Sequence, residues 1–171
     1  SPLSTAFALA PRLPLRAVHA LGALLGRLIY LLSSTYRRHV RENLAQAGID
    51  PALRGAVAAE SGKQMLELAR IWLRPLEEAN ALVVEVVGRD CLDAALAEGR
   101  GVLFLTPHLG CFEITAQYLS SFGDITVLYR PPKSAAAQEL ILTGRKRARL
   151  HLAPADLSGV RALIKALKKG Q

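Results

Sequence analysis

Cysteine and aromatic residues are scarce in this chain of 171 residues. Its two cysteines, Cys91 and Cys111, lie far apart and form no C-x-x-C pair, which argues against a disulfide framework or structural zinc site and favours a reducing compartment. Aromatic residues make up 5% of the chain, and residues 130–171 contain none, so nucleic-acid binding by base stacking is not expected. Apolar residues account for 51%, which excludes a disordered class.

Acidic residues are few at both ends of the chain. Residues 1–50 hold six basic and two acidic side chains, residues 51–129 hold six and ten, and residues 130–171 hold ten and two. Basic ends around an acidic middle indicate anionic partners, such as phospholipid headgroups, phosphorylated substrates or an acidic carrier protein. Charge alone would also allow nucleic acid.

A long uncharged run is missing as well. Residues 13–33 carry leucines and other apolar residues at helical spacing, but the stretch between Arg16 and Arg27 is much shorter than the roughly 20 apolar residues that a membrane span needs. We therefore expect an interfacial helix whose arginines contact anionic lipid. The alternative is a core helix with arginine stems along its surface. No signal peptide with a small-residue cleavage site is visible near the start.

The order of predicted elements favours an α/β fold, with a helical N-terminal section followed by a largely parallel sheet flanked by helices. We assign residues 1–75 to the helical, membrane-associated section and residues 76–171 to the α/β core. A strand is expected after the last lysine-rich helix, so the core is predicted to be truncated at its C-terminus. The predicted helices are 13–33, 34–46, 51–74, 90–98, 110–122, 134–148 and 156–169, and the predicted strands are 82–88, 101–105 and 125–129.

An H-x4-E motif, His108 to Glu113, directly follows the predicted strand 101–105. Active residues collect at the carboxyl ends of parallel strands, so this position favours a catalytic His/Glu dyad. If a helix begins at Gly110, its first turns could direct Glu113 at the imidazole and its unpaired N–H groups at the junction. A carboxylate on one ring nitrogen would leave the other free to act as a general base.

Other interpretations of the motif remain open. His108 could be a structural histidine with a buried partner. It could also bind zinc together with Cys91, Cys111 and Glu113, although the spacing matches no common zinc motif. Cys111 could be a nucleophile near a helix start or a small filler residue in the turn. We predict neither a metal nor a cofactor.

Two arginines are candidates for binding anionic groups. Arg130 directly follows the strand 125–129, so it should face the same cleft as His108, where its guanidinium would suit a phosphate or carboxylate. Arg145 belongs to a basic cluster late in the next helix, with Lys146, Arg147 and Arg149. Most of such a cluster is normally solvated helix surface.

The motif and its surroundings resemble the bacterial lipid A biosynthesis acyltransferases, the late lauroyl/myristoyl enzymes of the lysophospholipid acyltransferase superfamily. Residues 105–114, Leu-Thr-Pro-His-Leu-Gly-Cys-Phe-Glu-Ile, are similar to the family's H-L-G-x-[WF]-E box. The resemblance extends in order over essentially the whole chain, through Pro-Arg-Leu-Pro-Leu at 11–15, Arg-Glu-Asn-Leu at 41–44, Leu-Tyr-Arg-Pro-Pro-Lys at 128–133, Gly-Arg at 144–145 and the segment 156–170.

The resemblance implies His108 as the base, Glu113 as its orienting carboxylate, and Arg130 and Arg145 as contacts for substrate or carrier phosphate. Gly110, at the expected helix start, is a further candidate substrate-binding residue through its backbone. Glu113 rather than Asp favours the lipid A branch over the glycerophosphate branch. Cys111 and Phe112 replace a more usual small-polar and Trp pair, which changes the expected pocket wall. An Asp-containing segment expected after the final helix is absent, so its contribution cannot be assigned.

These expectations define an O-acyltransferase that moves a fatty acyl chain from an acyl carrier protein or coenzyme A thioester to a hydroxyl of a lipid A precursor, in lipopolysaccharide synthesis. The expected location is the cytoplasmic face of the bacterial inner membrane, with the protein peripheral or anchored through its N-terminus on the anionic surface. The rival interpretation is a non-catalytic peripheral membrane or lipid-binding module. Nucleic acid is not an expected partner.

Overall fold

A computed structural model describes residues 12–132, 135–145 and 149–171. The chain forms two compact units that divide between Leu73 and Arg74. Within its described residues, 12–73, the first has helices as its only regular elements. The second contains helices around a two-stranded parallel sheet, which confirms the predicted α/β class with a helical N-terminal section.

The first unit contains α1 (Leu15–Leu32), α2 (Ser34–Gln46), a 3-10 turn (Pro51–Leu53) and α3 (Arg54–Leu73). Local capping signals set these boundaries. The Ser33 hydroxyl accepts a hydrogen bond from the Tyr36 N–H at the start of α2, and the Asp50 carboxylate accepts one from the Ala52 N–H before α3. Gly48, with a φ of 65°, allows the chain to leave α2 in a left-handed turn.

Helices α1 and α3 pack closely because three glycines line their contact. A Cβ on Gly22 would lie 2.7 Å from the Gly62 carbonyl oxygen, and one on Gly62 would lie 2.8 Å from the Gly26 Cα. The pair is also joined by His19 Nε2 and Glu67 Oε2 at 2.9 Å. By length and composition alone, α1 could cross a membrane. Leucines and isoleucine on its other side are exposed, at Leu21, Leu24, Leu25, Leu28, Ile29, Leu31 and Leu32.

The second unit contains, in order, α4 (Leu76–Asn80), α5 (Arg89–Ala97), α6 (Glu113–Leu119), β1 (Ile125–Tyr129), α7 (Ala135–Arg145), β2 (Leu150–Pro154) and α8 (Leu157–Leu167). The two strands pair in parallel, with Ile125 opposite Leu150 and Tyr129 opposite Pro154. Helix α7 connects them, as parallel pairing requires a crossover.

Helix α8 packs directly on this sheet. The Asp156 carboxylate caps its start by accepting hydrogen bonds from the N–H groups of Ser158, at 2.8 Å, and Gly159, at 3.2 Å. The Ser158 hydroxyl also donates a hydrogen bond to this carboxylate. That bond has the largest effect on the pKa of Asp156, and together with the backbone bonds it holds the pKa below its ordinary value. Gly159 permits the close approach, since a Cβ there would lie 2.9 Å from Leu128 Cδ2.

Several predicted elements differ from the structure. The strands at 82–88 and 101–105 are wrong, because neither segment pairs with another strand in the described part of the chain, and Val84 and Val87 are 96% and 89% exposed. The predicted helix 110–122 is shorter in the structure, where α6 spans Glu113–Leu119. Strand β2 was not predicted, since its five residues end in proline and follow a basic run. Strand 125–129 and the other helices are confirmed to within a few residues. Residues 134 and 146–148 of the predicted helix 134–148 lie outside the described residues.

Candidate active site

The second unit contains a largely apolar cavity of about 550 Å³. One wall is the segment 102–108, which has no regular secondary structure, and helix α6 forms a second. Strands β1 and β2 also line it, together with Val160, Leu163 and Ile164 of helix α8. A cavity of this size and composition suits a ligand with a substantial apolar part.

His108 lines this cavity and is itself exposed, so it stands where the cavity meets solvent. The ring of Phe112 packs against the imidazole, with 4.3 Å between the ring centres and 44° between their planes. This aromatic contact restricts the orientation of the imidazole. Phe112, singled out in the sequence as an unusual residue of the motif, therefore forms part of the cavity wall beside the histidine.

Glu113 and Arg145 form a two-point ion pair in the same cavity wall. Arg145 Nε donates to Glu113 Oε2 at 2.9 Å, and Arg145 Nη2 donates to Glu113 Oε1. Glu113 is only 8% exposed. Two parallel charge-assisted bonds fix both the position and the plane of the guanidinium. The sequence proposed each residue for the site, but not their pairing, which links positions that are 32 residues apart.

The structure thus brings three of the predicted site residues, His108, Glu113 and Arg145, to one cavity. The expected bond between His108 and Glu113 is not among the hydrogen bonds of the described residues, and two bonds of Glu113 go to Arg145 instead. The helix also begins at Glu113 and not at Gly110, which instead takes a turn conformation with a φ of 54°. The catalytic roles stay predictions.

Arg130 follows β1 directly, as expected, but its side chain is exposed and does not line the cavity. Gly110 does not line it either. Lys146 and Arg147 lie outside the described residues, whereas Arg149 is exposed and lies 3.8 Å from Asp124. Of the two described members of the basic cluster, Arg145 lines the cavity and Arg149 does not.

The sequence analysis considered Cys91 and Cys111, with His108 and Glu113, as possible zinc ligands. Cys91 is exposed on α5, and Cys111 is half-buried in the turn before α6. Within residues 12–132, 135–145 and 149–171, no three His, Cys, Asp or Glu side chains lie together as a metal site would require.

The sequence analysis missed one buried polar residue of the cavity wall. Gln117 follows Glu113 by four positions on α6 and so lies on the same face of that helix. Its side chain is 1% exposed, and neither amide atom has a hydrogen-bond partner in the described part of the chain. The available signal was this spacing from Glu113 on the buried face of the helix.

Fold and site together define an α/β protein with an apolar ligand cavity, an accessible histidine at its opening and a buried carboxylate–guanidinium pair in its wall. The particular family follows from comparison with known proteins. Residues 5–171 match the family described as bacterial lipid A biosynthesis acyltransferase, and the chain belongs to that family. A comparison with curated proteins finds no match.

Membership confirms the resemblance seen in the sequence and gives the protein a general role. It is an acyltransferase of lipid A biosynthesis, with an acyl donor and a lipid acceptor as its substrates. It is accordingly a membrane-associated bacterial protein.

Proposed function

We propose that this protein transfers a fatty acyl chain from an acyl carrier protein or coenzyme A thioester to a hydroxyl group of a lipid A precursor, as a late acyltransferase. The observation that supports this most is the exposed His108 at the opening of a largely apolar cavity. The cavity would hold the acyl chain, and the acceptor hydroxyl would approach the imidazole from solvent.

In the proposed reaction, His108 removes the proton of the acceptor hydroxyl, and the resulting oxygen attacks the thioester carbonyl carbon. The tetrahedral intermediate then collapses, the carbon–sulfur bond breaks, and the thiol leaves with the proton from the imidazolium. Phe112 orients the imidazole through its ring contact. No metal or cofactor takes part in this scheme.

Glu113 has two proposed roles that differ in the contact it makes. In the described structure its carboxylate holds Arg145 at the cavity, where the guanidinium brings positive charge near the developing oxyanion. When substrate binds, the carboxylate would turn to the imidazole and stabilise its charged form, as catalytic hydrogen bonds often tighten only in the complex. Both roles make Glu113 necessary.

Arg130 is proposed to contact phosphate on the donor or on the lipid acceptor. It is exposed directly after β1, and Arg161, Lys165, Lys168 and Lys169 are exposed on or after α8 in the same unit. Such a basic surface suits an acidic carrier protein or a phosphorylated sugar.

We place the protein at the cytoplasmic face of the inner membrane, peripheral or anchored through its N-terminal section. The exposed apolar side of α1 supports insertion into the acyl boundary of the bilayer. Arg16, Arg27, Arg38 and Arg41 are exposed along the first unit and would meet anionic headgroups.

The test measures acyl transfer to a lipid A precursor from each of the two donors, with mass spectrometry to detect the acylated product. His108→Ala should reduce transfer by about a hundredfold or more, since general-base catalysis is worth about 10² to 10⁴, and Glu113→Gln should also reduce it. His151→Ala is the matched control, because His151 belongs to the same unit but has an exposed side chain and does not line the cavity. Equal transfer by the wild type and His108→Ala would contradict the proposal.

The alternative is a lipid-binding module without catalysis. It is favoured by one observation, the engagement of Glu113 by Arg145 rather than by the imidazole. This alternative predicts that the wild-type protein binds acyl thioesters and lipid but forms no acylated product with either donor.

A further inference from the structure

A second cavity lies in the first unit and takes no part in the proposed reaction. It has a volume of about 250 Å³ and is lined by Arg41, Leu44, Pro51 and Arg54. Arg41 and Leu44 are the first and last residues of the Arg-Glu-Asn-Leu sequence at 41–44, to which the proposed reaction gives no role. The second cavity therefore lies where α2, the 3-10 turn and the start of α3 meet, at a sequence that still needs a function.

The walls of the second cavity are almost entirely carbon. Leu44 and Pro51 supply apolar side chains, and the two arginines contribute the methylene stems that carry their charged groups. Both guanidinium groups therefore lie outside the apolar part, on residues that are exposed. An apolar depression flanked by two cationic groups suits an amphiphile whose anionic group lies directly beside a hydrocarbon part.

The two guanidinium groups form no ion pair within the part of the chain that the structure describes. Arg54 Nη1 donates to the Pro51 carbonyl oxygen at 3.0 Å, which holds its stem across the turn. The carboxylates nearest in sequence bind elsewhere: Glu42 lies 3.7 Å from Arg38, and Asp50 accepts a backbone N–H of the 3-10 turn at 2.8 Å. The positive charge at the second cavity is thus left for a ligand to neutralise.

The second cavity lies at the end of the unit where α1 has its most exposed apolar side chains. Leu44 belongs to one hydrophobic cluster with Tyr30 of α1 and Ala58 of α3. The two residues that follow Tyr30, Leu31 and Leu32, are 65% and 83% exposed. Cationic side chains beside exposed apolar ones are typical of the boundary between lipid headgroups and acyl chains.

We propose that the second cavity binds one anionic phospholipid of the membrane. Arg41 and Arg54 would hold its phosphate, since a guanidinium matches the geometry of phosphate oxygens. The hydrocarbon next to the phosphate would lie against Leu44 and Pro51. The inference rests on the membrane placement in the proposed function and is independent of the transfer reaction.

The experiment counts the phosphatidylglycerol molecules that the full chain retains in a neutral detergent, by native mass spectrometry at increasing lipid concentration. The wild type should retain one molecule, with an affinity about tenfold or more above that for phosphatidylcholine, because the choline group brings a cation to a site that already has two. Arg41→Gln and Arg54→Gln should each lower the affinity for phosphatidylglycerol by about tenfold or more, because each removes charge-assisted hydrogen bonds. Equal retention of the two lipids by the wild type would overturn the proposal.

Arg16→Gln is the matched control, because it removes the same charge from an exposed side chain at the other end of the unit. Arg16 lies one turn before His19, which bonds Glu67, and Glu67 is about 20 Å along α3 from Arg54. This control should change the affinity by less than about twofold, because a charge at that distance is screened. A similar loss in all three variants would show a diffuse attraction to the basic surface and would overturn the site.

Competing ligands identify what the second cavity holds. Glycerol 3-phosphate has the phosphate without the hydrocarbon, so it should displace the lipid poorly, and displacement as effective as by phosphatidylglycerol would overturn the role of the apolar walls. Tighter retention of a lipid A precursor than of phosphatidylglycerol would assign the second cavity to the acceptor and overturn the proposal.

Lipid retention is measured without donor or acceptor, so it separates this inference from the proposed reaction. A protein that retains phosphatidylglycerol through Arg41 and Arg54 but transfers no acyl chain contradicts the reaction and supports this site. A protein that transfers the acyl chain but retains no phosphatidylglycerol supports the reaction and contradicts this site.

Discussion

The guanidinium of Arg145 holds the buried carboxylate of Glu113 at two points, with Nε donating to Oε2 at 2.9 Å and Nη2 donating to Oε1. This pair joins the start of α6 to the end of α7. Because Glu113 is 8% exposed, removal of the guanidinium would take two charge-assisted bonds from a carboxylate that water reaches poorly. The pair is therefore a structural element of the cavity wall as well as a candidate part of the chemistry.

We predict that Arg145→Ala lowers the free energy of unfolding by about 2 kcal/mol, the scale for hydrogen bonds to a charged group whose partner is part-exposed. Arg145→Lys should recover little of this, since an ammonium cannot make the two-point contact. Urea denaturation measures both. Arg149→Ala is the control: its carboxylate contact, to Asp124, is exposed and 3.8 Å long, so the change should stay below about 0.5 kcal/mol. Equal losses for the alanine variants of Arg145 and Arg149 would refute the role given to the pair.

The contact between α1 and α3 gives a second prediction. Gly62→Ala should destabilise the protein by about 1–3 kcal/mol, because the new methyl group would lie 2.8 Å from the Gly26 Cα and would push two backbones apart. Gly55→Ala, on the same helix, meets nothing within 4 Å and should stabilise by about 0.5–1 kcal/mol through lower backbone entropy of the unfolded chain. The midpoint of thermal unfolding should therefore move in opposite directions. If both variants unfold at the same temperature, the close packing of the two helices is wrong.

A third prediction concerns acid stability. The hydrogen bonds to Asp156 lower its pKa in the folded state below the ordinary value of 3.8. Its stabilising contribution is then fully present above that ordinary value, and it is lost as pH falls through the lower folded pKa. Asp156→Asn keeps a capping oxygen but has no carboxyl to titrate. Denaturation curves from pH 6 down to about pH 2 should thus show the wild type losing more stability than the variant. Parallel curves would contradict the prediction.

The sequence predicted the features that depend on neighbouring residues better than those that depend on contacts between distant parts of the chain. Helices α1 to α3 follow from apolar spacing and from caps such as Asp50, which are signals carried within a few residues. The candidate site residues His108, Glu113 and Arg145 could likewise be named in advance from motif and position. The pairing of Glu113 with Arg145 could not be predicted. No signal within the neighbouring residues determines that Glu113 binds a guanidinium on another helix and not the nearby imidazole.

The errors in strand prediction have the same physical origin. The β-branched residues at 82–88 are typical of a strand. A strand also needs a neighbouring strand to complete its hydrogen bonds, and the composition of a segment does not show whether such a neighbour exists. Conversely, β2 forms despite weak local signals because β1 lies parallel to it and pairs along its full length from Leu150 to Pro154. Gln117 was overlooked because burial of its amide depends on the cavity that the tertiary fold creates.

The final prediction tests whether the cavity holds the acyl chain. Ala116 lies on α6 and lines the cavity, so Ala116→Phe would fill part of the space while leaving His108 unchanged. Transfer from a dodecanoyl donor should fall by about tenfold or more in kcat/KM, whereas transfer from a butanoyl donor should change little, because a pocket discriminates strongly against methylene groups that no longer fit. The matched control is Ala162→Phe on α8, where the side chain is exposed and does not line the cavity. If Ala116→Phe affects both donors equally, or Ala162→Phe reproduces its effect, the long chain binds elsewhere.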